Sequence, residues 1–177
     1  MKTGFTCGSF DLLHAGHILM LEECKEHCDF LLVGLQTDPS YDRTEKQRPI
    51  QTVLERQIQL AAVRHVDAVV IYDTEADLRN LLKIRQPDIR FVSEEYRVKP
   101  FTGNDIEEIE IHYNSRRHDF SSSELRQRCQ EGTDGQIRAG NERIQAGPTE
   151  KRLRPPGAQT EPGPGHSLQS QPQKATG

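Results

Sequence analysis

With 177 residues and a formal net charge of −4, the chain is long enough to bury one core. It lacks the Lys and Arg excess that a nucleic-acid backbone or an anionic bilayer selects, so neither is an expected partner and small-molecule chemistry is. No apolar run reaches the length of a bilayer span, and Met1-Lys2 leads straight into a strand-like segment, which points to a cytoplasmic protein without membrane insertion.

Residues 2–8 read as a short buried strand ending in Gly8, and residues 15–27 as an amphipathic helix. The unbroken run Phe30-Leu31-Leu32-Val33 predicts a strand over 30–35 buried on both faces, as a parallel sheet requires. Residues 37–51 form a polar loop with Arg43, Lys46 and Arg48. Thr52 to Glu55 then fits a capping box, and Leu54, Ile58, Ala61, Ala62 and Val66 carry a helix to about residue 65. A strand over 68–72, a helix over 75–84 and a strand over 89–92 follow. The alternating Ile106, Ile109, Ile111 and Tyr113 predict a last strand, and the hydroxyls of Ser121 to Ser123 cap a short helix over 125–129.

Cys7, Cys24, Cys28 and Cys129 are too few for a disulfide framework. Cys24 and Cys28 fall at helical spacing and read as reduced core residues, so no metal-ligand role is assigned. Residues 132–177 contain no aromatic residue but six of the ten prolines and eight of the thirteen glycines, and are expected to be a disordered tail. The expected organisation is one domain over 1–131 followed by that tail. Alternating strands and helices predict an α/β, Rossmann-like parallel sheet with helices on both faces. Ligands then belong at the carboxyl ends of the strands, where four polar loops converge.

The first of those loops is Cys7-Gly8-Ser9-Phe10-Asp11-Leu12-Leu13-His14-Ala15-Gly16-His17. It sets two imidazoles three residues apart at a helix start, where backbone N–H groups and the positive helix end collect phosphates. The last carries Arg116-Arg117-His118-Asp119-Phe120-Ser121-Ser122-Ser123, a hydroxyl-rich helix start suited to outer phosphates. Gly8-Ser9-Phe10-Asp11 with His14-Ala15-Gly16-His17, joined to this late motif, resembles the H-x-G-H nucleotidyltransferase superfamily, and within it the glycerol-3-phosphate cytidylyltransferase family. The resemblance runs from residue 1 to about residue 130.

The resemblance implies attack by a substrate phosphate on the α-phosphorus of a Mg²⁺-bound nucleoside triphosphate, with release of pyrophosphate. It gives catalytic roles to His14, His17, Lys46 and Arg116, with Arg48 competing for the place of Lys46. Nucleotide binding falls to Gly8, Ser9, Phe10, Asp11, Gly16, Glu94, Ser121, Ser122 and Ser123, and acceptor binding to Arg56 and Arg64. Asp11 could orient its loop, approach the metal or cap a helix. Ser93 stands where the family tends to have glycine, which leaves CTP against ATP open. Three functions follow: CMP transfer from CTP to a small phosphorylated alcohol such as glycerol 3-phosphate, AMP transfer from ATP to a sugar or polyol phosphate, or a non-catalytic nucleotide-binding scaffold. Homodimers are common in the family.

Overall fold

The computed structural model describes residues 1–115 and 118–131; the predicted tail lies outside the described residues. The described residues form five strands, β1 (Thr3–Gly8), β2 (Phe30–Gln36), β3 (Ala68–Tyr72), β4 (Ile89–Ser93) and β5 (Glu110–Asn114). Four α-helices join and follow them: α1 (Ala15–Glu26), α2 (Val53–Ala61), α3 (Glu75–Arg85) and α4 (Ser122–Glu131). All pairings are parallel and the sheet order is β3-β2-β1-β4-β5, the expected α/β architecture.

Strand alternation divides the core between two layers. Leu31, Val33 and Leu35 of β2 pack with Leu21 and Cys24 of α1 and Leu60 of α2, whereas Leu32 packs on the other face with Phe5, Tyr72 and the α3 residues Leu78 and Leu82. Helices therefore cover both faces. The four cysteines are free thiols, and burial pushes the Cys24 thiol up to about 12. Among the described residues, no helix is long and apolar enough to cross a membrane.

The predicted elements need three corrections. The helix expected to reach residue 65 stops at Ala61: the Ala62 N–H is shared between the Ile58 and Gln59 carbonyls, and the Val63 and Val66 N–H groups close tight turns instead of continuing the ladder. Its exposed face is also the predicted apolar one: Leu54 and Ile58 are 64% and 62% exposed, while Arg56 and Leu60 point inward. The last strand begins at Glu110 rather than near Ile106, because residues 106–109 form a turn closed by the Ile109 N–H on the Ile106 carbonyl. Residues three apart fall on one side of such a turn but on opposite faces of a strand, and Ile106 and Ile109 enter the same cluster.

Gly34, near the centre of β2, sits where neighbouring strands pack closely. A Cβ there would meet Phe5 Cζ at 2.8 Å, Cys7 Cβ at 3.0 Å and Tyr72 Cε1 at 3.2 Å. Gly34→Ala is expected to destabilise the domain by about 1–3 kcal/mol through overpacking, read as a lower urea midpoint at unchanged slope. An unchanged midpoint would contradict the packing described.

Candidate active site

β1 ends at Gly8, and the chain turns into α1 through two residues with left-handed backbone, Phe10 (φ 48°) and Leu12 (φ 50°). Non-glycine residues adopt this region at a cost of about 1–3 kcal/mol, so neighbouring contacts must hold it. Phe10 turns its ring into the core and against His17, with centroids 5.4 Å apart.

His14 is the N-cap of α1, its Nδ1 accepting the Gly16 N–H at 3.1 Å, while His17 Nδ1 accepts the His14 N–H at 3.4 Å. This is a capping box built from imidazoles, in place of the usual hydroxyl and carboxylate. The rings stack with centroids 3.9 Å apart. With Nδ1 accepting, a neutral imidazole carries its proton on Nε2, so both histidines are set as Nε2–H donors. Burial, followed by the His14 and His118 imidazoles, pulls His17 down to about 3, opposed by Asp11. Gly16 is required here, since a Cβ would meet His118 Cε1 at 2.6 Å and His14 Cε1 at 3.0 Å.

Asp11, between the two left-handed residues, is 4% exposed. Its Oδ2 accepts the Ile50 N–H at 3.0 Å and its Oδ1 the Gln51 N–H at 2.9 Å, and Arg126 of α4 donates to Oδ2. Burial pushes this carboxyl up, but the Gln51 and Ile50 N–H groups with Arg126 overcome it and leave it below the usual range. The Ser122 hydroxyl donates to the Asp11 carbonyl at 3.1 Å, and Ser121 Oγ accepts the Glu124 N–H at 3.1 Å as the cap of α4. The histidine turn, the end of the 37–51 loop and the α4 start thus meet around Asp11. These contacts fix the orientation of the loop that carries Asp11.

Arg56 is 1% exposed. Its guanidinium donates to the carbonyls of Gln51 (3.1 Å), Ser9 (2.7 Å), Gln36 (2.8 Å) and Thr37 (2.6 Å), which occupies four of its five N–H donors within the protein. Arg64 lies beyond the carboxyl end of α2, near the start of β2, with Nη2 4.0 Å from Glu22 Oε1. That is the sheet edge opposite His14 and His17. Lys46 and Ser123 are exposed, Arg48 Nε lies 3.5 Å from Asp38 Oδ2, and Glu94, just past β4, pairs with Arg97. Arg116 lies outside the described residues.

Sequence reasoning missed Arg126 and His118. Arg126 follows Ser122 by one helical turn, so both reach Asp11 from one face of α4, a spacing visible in the sequence. His118, which stands in the late motif without an assigned role, brings a third imidazole against Gly16, with a buried Nδ1 that has no partner among the described residues.

A parallel sheet with a histidine-capped helix at the carboxyl end of its first strand defines an enzyme domain of the nucleotidyltransferase class. The family model described as cytidylyltransferase-like matches residues 5–128, and the chain belongs to that family. It is similar to bifunctional protein HldE of Caulobacter sp. (strain K31), 41% identical over 60% of this chain and 22% of that protein. HldE of Campylobacter curvus (strain 525.92) is 40% identical over 59% of this chain and 22% of that protein. The chain thus spans about a fifth of the length of these curated relatives. Among solved structures, the lipopolysaccharide core biosynthesis protein of Thermoplasma volcanium is 25% identical with a TM-score of 0.55, over 66% of this chain and 98% of that one. Pantothenate synthetase of Thermus thermophilus shares the fold alone, at 12% identity and a TM-score of 0.50, over 71% of this chain and 61% of that one.

Two outcomes test this geometry. Arg56→Met strips four carbonyls, one of them in a fully buried bond, of their donor and is expected to cost about 3–5 kcal/mol in urea unfolding, whereas a guanidinium kept for substrate would leave the midpoint in place. For His17, the ordinary value is 6.5 and the folded value about 3, so its stabilisation is complete above pH 6.5 and is lost as pH falls from there towards 3. Between pH 7 and pH 5 the wild type is expected to lose about 1–2 kcal/mol more than His17→Asn. Equal losses would contradict a buried neutral His17.

Proposed function

We propose that this domain transfers a nucleotidyl group from a magnesium–nucleoside triphosphate to the phosphate of a small sugar or polyol phosphate. An acceptor phosphate oxygen bonds to the α-phosphorus, the bond from that phosphorus to the oxygen bridging it to the β-phosphorus breaks, and pyrophosphate leaves. The observation that carries this reading is the His14–His17 pair, each oriented through Nδ1 by a backbone N–H at the start of α1. Transfer of this kind asks mainly for in-line positioning and for donors around the phosphate oxygens.

The two Nε2–H groups and the α1 N-terminus supply donors to the triphosphate, and charge gathered there raises the affinity of the imidazoles for protons. Lys46 or Arg48, from the 37–51 loop, and Arg116, which lies outside the described residues, are assigned to the phosphates. Glu94 at the end of β4 is assigned to the base, beside Ser93. Among the described residues, no group of three or more His, Cys, Asp or Glu side chains could hold a metal ion. Magnesium enters as part of the triphosphate substrate, mostly coordinated by phosphates and water.

Likeness to a protein titled for lipopolysaccharide core biosynthesis supports a sugar phosphate acceptor. The cytidylyltransferase-like family description supports CTP with glycerol 3-phosphate as a second pairing. Pyrophosphate release should be measured with each of the four nucleoside triphosphates against glycerol 3-phosphate and a panel of sugar phosphates. One donor–acceptor pair is expected to stand out, and His17→Asn is expected to lower its kcat at least about 100-fold without loss of fold. Silence across the panel, or turnover unchanged in His17→Asn, would overturn the reading.

A further inference from the structure

Arg90, on β4, is a buried cation whose needs the protein does not meet. It is 3% exposed, and among the described residues it pairs with no carboxylate. Nη1 donates to the Thr102 carbonyl, Nη2 lies 3.9 Å from Cys7 Sγ, the Phe101 ring centroid is 5.1 Å from Cζ, and Nε is buried without a partner. Arg56 is buried too, but spends four donors on carbonyls. A guanidinium left with one carbonyl, a thiol and a ring face has lost its hydration without gaining a counter-ion, an arrangement that favours an anionic ligand.

Arg90 is in register with Phe5 of β1 and, like Phe5, faces the α3 side of the sheet, across it from α1; its head group reaches Cys7, next to the Gly8 at which the histidine loop begins, and so approaches the carboxyl edge from that side. Its lid is residues 101–103: Phe101 over the guanidinium, the Thr102 carbonyl on Nη1, and Gly103 at φ 81°, where a Cβ would meet Nη1 at 2.8 Å and Leu82 Cδ1 at 2.7 Å. The two arginines expected to hold the acceptor are placed otherwise, Arg56 being committed to carbonyls and Arg64 lying at the opposite sheet edge. We propose that Arg90 binds the phosphate monoester of the acceptor, its free donors forming a two-pronged contact with phosphate oxygens as the Thr102 carbonyl gives way. The identity of that ligand as the acceptor rests on the transfer reading above; the anion site itself does not.

The chain contains no tryptophan, so Phe101→Trp places a single indole against Arg90. Glycerol 3-phosphate, added with a non-hydrolysable nucleoside triphosphate at saturation, is expected to change its emission saturably, and glycerol is expected to do nothing. In that background Arg90→Met should weaken glycerol 3-phosphate binding at least about 100-fold and Arg90→Lys about 10-fold. Titration calorimetry of glycerol 3-phosphate into wild type and Arg90→Met gives the same comparison without the reporter. A dissociation constant within threefold in Arg90→Met, or no binding to the folded wild type, overturns the proposal and leaves Arg90 as a clamp on the Thr102 carbonyl. Arg90-dependent binding with no pyrophosphate release sustains the anion site while the transfer reading falls. Turnover whose acceptor KM ignores Arg90→Met sinks the proposal alone.

Discussion

The Asp11 carboxylate gathers the N–H groups of Ile50 and Gln51 and the guanidinium of Arg126 at one buried position, and the rest of the site depends on that convergence. Its neighbours Phe10 and Leu12 hold left-handed backbone that neither residue type favours. Three charge-assisted hydrogen bonds offset that strain. With the turn so held, His14 arrives at the N-cap of α1 and its ring stacks on His17. The same carboxylate anchors the end of the loop that carries Lys46 and Arg48 and, through Arg126, the helix that follows the Arg116 segment. The histidine turn, the end of the 37–51 loop and the start of α4 are thereby tied together at one place.

Arg56 does for the strand ends what Asp11 does for the loops. Its contacts to Ser9, Gln36, Thr37 and Gln51 fasten the exits of β1 and β2 to the start of α2, beneath the histidine turn. Carbonyls satisfy this buried charge; those around Arg90 do not. The difference separates an arginine that builds the site from one placed to receive a ligand, although in sequence both are arginines on apolar elements.

The alternation of elements and the strands at 30–36, 68–72 and 89–93 were legible in the sequence because each is a compact apolar run between turn residues. The histidine turn was legible for another reason: H-x-G-H beside G-S-F-D is a local pattern, and the structure is local there too, with both cap bonds inside four residues. Long-range partnerships left no such trace. The sequence offers Arg56 for acceptor binding and gives no sign of its carbonyl partners, which lie up to 47 positions away and invert the buried face of α2. Asp11 offers a list of local roles, and its actual bonds span 39 to 115 positions. The 106–109 turn escaped because isoleucines spaced by three satisfy a loose strand pattern as readily as a turn.

The claim that Asp11 assembles this site through Arg126 is tested most directly by a double-mutant cycle in urea unfolding, with Asp11→Asn, Arg126→Gln and the pair. A shared buried tie makes the double variant less destabilised than the sum of the singles, with a coupling energy above about 1 kcal/mol. Losses that add within about 0.5 kcal/mol would show that the two side chains act independently, and would contradict the account.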